Sequence, residues 1–303
     1  MAKYTFKQFQ GEYPNDAACL AKLMEINYGG TNILCPGCGC QATFHPMHKR
    51  RAYACQECGH HIYPAAGTIF HKSRTNLTKW FFAMYLMTST RHGVAAKEIE
   101  RQLGVTYKCA WRMCHELRKL MASADDKWGG PLSGHVEIDE TRVGGRRKAN
   151  EPENKTIVFG MLQRGGRLLA APIPDVTNYT VEGIINENIP AGTTISTDEH
   201  RAYHGLRHAY NHGMVNHSAK EYVRREFHLK PGGYDVVKIH TNTLESHWSL
   251  FKRAVKGTHV HISAKHSWKY VSEFSYRRNM RHSHSNMFNL LVEAFALPRL
   301  KDA

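Results

Sequence analysis

The chain has 303 residues, enough for two or three domains, and carries 41 Lys and Arg against 26 Asp and Glu, a formal charge of +15. That excess points to a polyanionic partner, nucleic acid above all, although a merely basic surface protein has the same balance. The most apolar run, Trp80 to Met87, is far short of a membrane span, and the N-terminus lacks a charged-then-apolar export signal, so a cytoplasmic protein with reduced thiols and no membrane partner is expected.

In chain order, Asn15 or Asp16 caps a short helix that carries Cys19, Leu20 and Leu23 on one side. Two knuckles follow, Cys35-Pro-Gly-Cys38 and Cys55-Gln-Glu-Cys58, with sixteen residues between them. Knuckles at this separation converge on one tetrahedral metal, each supplying two thiolates, so one structural Zn2+ on Cys35, Cys38, Cys55 and Cys58 is expected. Gly37, Gly39 and Gly59 allow the backbone angles such turns need. The competing reading, a disulfide framework, lacks the export signal it requires; Cys40 is a bystander or an alternate ligand. With the ribbon running from about Ile33 to Tyr63, the first domain takes residues 1–66.

Residues 67–125 read as a helical domain. Leu77 to Met87 is apolar nearly all round, as in a buried helix. Ala95 to Leu103 forms a second helix, Gly104-Val105-Thr106 a turn, and Thr106 caps a third helix to about Met121. This is the layout of a helix-turn-helix with Tyr107, Lys108, Arg112 and His115 on the exposed face; two core helices meeting at a glycine give the same pattern. Cys19, Cys109 and Cys114 read as core residues, and the polar stretch from Ala122 to Ser133 as a linker.

The pattern then turns to strands. His135 to Asp139, Thr156 to Leu162 and Leu168 to Ile173 make an antiparallel meander. A helix at Val181 to Asn188, a fourth strand at Thr193 to Thr197, a helix around Arg201 to Tyr210, a short strand near Met214 to Asn216 and a helix from Asn242 to about Val255 complete the order. Three antiparallel strands followed by alternating helices and strands is the order of an RNase H-like fold. The fold class is therefore α+β multidomain, with the RNase H-like domain, a mixed sheet flanked by helices, at 134–285 and a C-terminal helix or tail at 286–303.

Asp139 lies in the first of these strands and Asp198 ends the fourth. Those strands are neighbours in such a sheet, so both carboxylates can aim at one point, although either aspartate taken singly reads as a cap or a surface residue. Paired carboxylates repel unless a cation sits between them, and Mg2+ suits a site of few carboxylates. Glu245 is the best third ligand, with Asn242 and His247 as rivals; Lys252, almost two helical turns on, shares its face and can hold a phosphate. Glu137 and Glu140 are expected to point away from the site. His204, His208 and His212 at helical spacing invite a second zinc, but no further ligand accompanies them. The basic loop Arg146, Arg147 and Lys148, and the segment from Lys252 to Arg281 with Arg253 and Lys256 near its start, are candidate DNA contacts. That segment carries eight Lys or Arg and one acid, Glu273, interleaved with Trp268, Tyr270 and Tyr276; a solvated basic helix over a core of aromatics fits it equally.

These residues resemble the ISXO-type insertion-sequence transposases, which have an N-terminal zinc ribbon and a DDE catalytic domain. The resemblance is carried by the ribbon, Gly67-Thr68-Ile69-Phe70-His71, Leu77-Thr78-Lys79-Trp80, Ala110-Trp111-Arg112-Met113, Glu137-Ile138-Asp139-Glu140-Thr141 and Gly144-Gly145-Arg146-Arg147-Lys148. It continues through Thr197-Asp198-Glu199-His200 with Tyr203, His240 to Glu245, Trp248 with Lys252-Arg253, and the tail from Gly257 to Asn279. His247 stands where an aromatic residue is usual. The resemblance implies two Mg2+ or Mn2+ ions on Asp139, Asp198 and a third residue, an acid or an amide, which keeps Asn242 beside Glu245. It implies cleavage at the inverted repeats of an element to free 3′-hydroxyls, and their joining to double-stranded target DNA. It also implies a homodimer or larger synaptic complex and a bacterial, nucleoid-associated setting. The ribbon and helix-turn-helix are the implied readers of the ends, with Lys108 and Arg112 in reach of base edges. A regulator with a dead metal site and a nuclease that cuts without joining are the other readings.

Overall fold

A computed structural model of the chain describes residues 4–48, 50–127, 130–144, 155–230, 233–283 and 286–296. The chain divides into two compact units, one of Met1–Lys127 with Met280–Ala303 and one of Trp128–Asn279.

The first unit begins with α1 (Phe6–Glu12), which the sequence reading did not assign, closed at its start by a reciprocal cap between Thr5 and Gln8. Helix α2 (Asp16–Tyr28) is capped by Asn15, whose side chain accepts from Ala18 N, and stops at Gly29 in the left-handed region. Asp16 has a different task. Its carboxylate accepts from Leu77 N and Thr78 N, both at 3.0 Å, and from Arg51 Nη2 at 3.2 Å, so it caps the next helix from outside. The ribbon strands β1 (Asn32–Leu34), β2 (Gln41–Pro46), β3 (Tyr53–Cys55) and β4 (His61–Ile62) pair antiparallel in chain order.

Helix α3 (Leu77–Ser89) buries Leu77, Trp80, Phe81, Met84 and Met87. Between α4 (Ala96–Leu103) and α5 (Tyr107–Lys127), Gly104 adopts φ 57°, which lets the chain reverse within three residues. Helix α5 runs through Ala122 to Lys127, part of the expected linker. Leu117, Leu120, Met121 and Ala124 recur at helical spacing and are buried, and that stripe outweighs the polar residues between them.

The second unit is built on a five-stranded sheet in the order β7-β6-β5-β8-β9. Strands β5 (His135–Val143), β6 (Thr156–Gln163) and β7 (Leu168–Ile173) form the antiparallel meander; β8 (Thr194–Thr197) and β9 (Asn211–Met214) run parallel to β5. Helix α6 (Asn178–Asn188) leads from β7 into β8, and a 3-10 helix (Arg201–His208) links β8 to β9. Strand β9 starts three residues before the expected position, so His212 belongs to a strand and is not in helical register with His204 and His208.

Beyond β9 come two strands absent from the sequence reading, β10 (Arg224–Lys230) and β11 (Gly233–Ile239), an antiparallel ribbon separate from the main sheet. Helix α7 (Asn242–Ala254), a π-turn at Val255–His259 and α8 (Ser267–Asn279) complete the unit. Alternation along β5 and β6 splits the core. Val136, Ile138, Phe159 and Met161 pack with α6 and the 3-10 helix, whereas Val143, Val158 and Leu162 pack with Leu244, Trp248, Phe251 and Phe274 from α7 and α8.

Residues expected to form a separate tail return to the first unit as α9 (Met287–Glu293). Phe288 packs on Tyr4, Phe9, Tyr13 and Phe81, and Phe295 on Phe70 and Phe81. No helix among the described residues is long and apolar enough to cross a membrane.

Candidate catalytic and metal sites

The parallel pairing of β5 with β8 aligns His135 with Thr194, Val136 with Ile195 and Glu137 with Ser196. Continuing that register by two residues sets Asp139 beside Asp198 where β8 ends. Asp198 accepts from His200 N at 3.0 Å, which turns the chain into the 3-10 helix. Asp139 is largely enclosed. Burial, and then the charges of Glu140, Asp198 and Glu245, push its pKa up to about 8.

Helix α7 brings the third acid over the sheet. It rides low because Gly160, paired with Asp139 across β5 and β6, has no side chain: a Cβ there would lie 2.5 Å from Trp248 Cζ2. Asp139, Glu140, Glu245, Lys252, Arg253 and Lys256 line a shared cavity of about 350 Å³, closed on one side by Trp248. Asn242, exposed at the start of α7, and buried His247 are not in that lining. Glu245 bonds to Thr241 Oγ1 at 2.8 Å and lies 3.5 Å from His217 Nε2. Its carboxylate is therefore turned along its own helix start, and the acids do not close into a single cluster as the thiolates do.

Glu137 corrects the expectation that it points away. Counting by twos from Asp139 returns it to the same face; Glu140 alternates away and accepts a hydrogen bond from Tyr203 Oη, yet it still borders the cavity and adds its charge beside Asp139. Glu137 is fully buried and accepts from Thr243 N at 2.9 Å, Leu244 N at 3.0 Å, Thr243 Oγ1 at 2.8 Å and Arg164 Nε at 2.8 Å. It is an N-cap delivered to α7 by the strand that carries Asp139. Strand parity could have placed it on this face; its partners at the start of α7, more than a hundred residues away, left no local signal.

The ribbon cysteines gather in the first unit. One ligand atom from each of Cys35, Cys38, Cys55 and Cys58 lies within 4.8 Å of the others, with the Sγ atoms of Cys35 and Cys58 3.6 Å apart. Ligands about 2.3 Å from a tetrahedral zinc sit about 3.8 Å from one another, so the set fits Zn2+. The knuckles repeat one design: Gly39 N donates to Cys35 O and Gly59 N to Cys55 O, each glycine at φ near 70°. Cys40 is exposed and outside the set.

Residues 131–279 match the ISXO2-like transposase domain, and residues 14–61 match the transposase zinc-ribbon domain. Together the matches span about two thirds of the chain. The chain belongs to the ISXO2-like transposase family. A relative from Halobacterium salinarum, described as an uncharacterized protein in transposable element ISH50, is 27% identical over 272 residues, covering 82% of this chain and 86% of its own. The transposase is thus tied to insertion-sequence elements, and its ribbon cysteines carry the zinc set of the family's N-terminal domain.

The basic residues of this transposase have different fates. Lys108 and Arg112 are exposed on α5, with the Arg112 guanidinium 5.4 Å from the Trp80 ring centre. His115, expected on the same face, is buried against Trp111, with ring centres 3.7 Å apart. Helix α5 has α3, α4 and α9 around it, so its buried stripe is wider than one face. Lys252, Arg253 and Lys256 are exposed around the acidic cavity. Farther on, Lys269 is buried, Arg277 pairs with buried Glu273 at 2.8 Å, and Tyr270 and Tyr276 are core. Arg146, Arg147 and Lys148 lie outside the described residues.

Proposed function

We propose that this protein is a DDE transposase that binds the terminal inverted repeats of an insertion sequence, cleaves to free 3′-hydroxyl ends and joins them to target DNA. The reading treats the second unit as RNase H-like and gives Asp139, Asp198 and Glu245 the Mg2+ ions. It is carried by one observation: two aspartates side by side at adjacent parallel strands, with Asp139 in a cavity to which α7 adds Glu245, Lys252 and Arg253 and the turn after it Lys256. The all-oxygen donor set, and an Asp139 whose pKa is raised by burial and then by the neighbouring acids, suit a hard divalent cation. Bound there, Mg2+ would supply Lewis acidity to both the attacking and the leaving oxygen of a phosphodiester.

The chain's own residues do the rest. Asp139 and Asp198 hold the cation side from the sheet, and Glu245 swings from Thr241 to close it. Lys252, Arg253 and Lys256 hold phosphates against the cavity wall, countering a site that would otherwise repel DNA. Lys108 and Arg112 reach the ends from the first unit, and the zinc ribbon assists them. No covalent protein–DNA intermediate is needed. Incubating the protein with Mg2+, labelled element ends and a supercoiled plasmid tests the reading. Joined products from the wild type but not from Asp139→Asn or Asp198→Asn are expected. Cleavage without joining would make it a nuclease, and end binding with neither reaction a regulator.

A further inference from the structure

The ribbon of β10 and β11 leaves an aromatic face uncovered. Phe227 is 64% exposed, Tyr234 60% and Val236 48%, in a chain whose other large side chains are mostly buried. Pairing places Phe227 opposite Val236 and Arg225 opposite Lys238, and the Phe227 and Tyr234 rings touch edge to face with centres 5.3 Å apart. These five residues share one face by strand alternation. Acids go to the other side: Glu226, opposite Val237, and Asp235 both lie on the opposite face, where Arg224 approaches Glu226. One face is therefore aromatic with two cations and no acid among the described side chains.

The base of the ribbon is fixed. Ile239 is buried against β9 so closely that a Cβ on Gly213 would sit 2.5 Å from its Cδ1. Arg164, the partner of Glu137, donates to the carbonyls of Lys238 and His240. Two residues past β11 the chain enters α7, which carries Glu245. The ribbon is thus rooted on the main sheet and joined by two residues to the helix that carries Glu245.

We propose that this face binds an unpaired DNA strand, with Phe227 and Tyr234 stacking on bases and Arg225 and Lys238 on the flanking phosphates. Duplex DNA offers a ribbon phosphates and groove edges, but two exposed rings require the flat faces of bases, which only an opened strand presents. The charge segregation selects a polyanion over a second copy of this basic chain. The proposal rests on the transposase reading only for the source of that strand, the DNA around the cut.

The test is fluorescence anisotropy of the full chain with a short labelled single strand and with its duplex, across a salt series. Replacing both Phe227 and Tyr234 by Ala should weaken single-strand binding by roughly 10- to 100-fold and leave duplex binding unchanged. Phe227→Trp should keep the affinity and Phe227→Leu lose it, which separates stacking from simple apolar contact. Arg225→Gln with Lys238→Gln should lower the salt slope for the single strand by roughly 1.4. Zinc content and circular dichroism confirm that each variant is folded. Equal losses on strand and duplex, or full affinity in Phe227→Leu, would overturn the proposal. So would variants that alter only self-association in sedimentation, because the face then serves a second copy. Asp139→Asn should bind the single strand as the wild type does; if the wild type itself neither cuts nor joins element ends, the transposase reading fails while the ribbon's role stands.

Discussion

Two carboxylates on one strand face do opposite things with their charge. Asp139 is surrounded by acids, and Glu137 by donors. An acid whose pKa is higher folded than unfolded keeps a proton in the folded state through the interval between them. Stability should therefore fall as pH rises from about 4 towards 8, with the full cost above that. Asp139→Asn should flatten this dependence in buffer without added divalent cation and raise the melting temperature at pH 9 by a few degrees, read by thermal unfolding. Added Mg2+ should raise the wild type's melting temperature there and leave the variant's unchanged. Glu137 is satisfied entirely within the fold, and its loss strands Arg164 and the first N–H groups of α7. Denaturant unfolding should show about 3 kcal/mol lost in Glu137→Ala and roughly 1–3 kcal/mol in Glu137→Gln, which keeps one oxygen for the helix. Joining should fall further than stability, because Glu245 rides on the helix that Glu137 holds.

At the scale of elements, the seat of α7 depends on a missing side chain. Gly160→Ala places a methyl well inside van der Waals contact distance of the Trp248 ring, and the helix must lift or the ring must turn. A loss of about 1–3 kcal/mol in urea melts is expected, with a drop in joining that Mg2+ does not restore. Elements with a dense apolar repeat were legible from the chain: α3, the meander and α7 all carry one. The β10–β11 ribbon was not. Charged residues and aromatics mix along it, β11 buries only Ile239 at its end, and it lacks the half-buried pattern by which strands are recognised. Helix α5 outran its expected end because Ala122, Asp125 and Asp126 look like a linker until Met121 and Ala124 are seen on the buried stripe. The candidate site was legible in its acids, since Asp139 and Asp198 sit at strand positions. Glu137 and Gly160 were not, because each acts through a partner distant in sequence.

At the scale of the whole molecule, the two units differ in how their candidate ligands are held. The first holds four thiolates on knuckles tied by backbone bonds, a set suited to an ion that never leaves. Replacing Cys35 and Cys38 by Ser should release about one zinc per chain by metal analysis and weaken end binding. The second unit's unfolding transition should stay where it was, and a shift in both transitions would show that the zinc supports more than its own unit. The first unit is also assembled out of order. Phe288, which fills the aromatic cluster of Tyr4, Phe9, Tyr13 and Phe81, leaves the ribosome only after every residue of the second unit. A chain released early, by a frameshift or a premature stop anywhere in the second unit, carries the zinc ribbon and α1 to α5 around an open core. Such fragments should be cut by a protease faster than the intact chain, read by limited proteolysis, and the order of synthesis would then screen out truncated products.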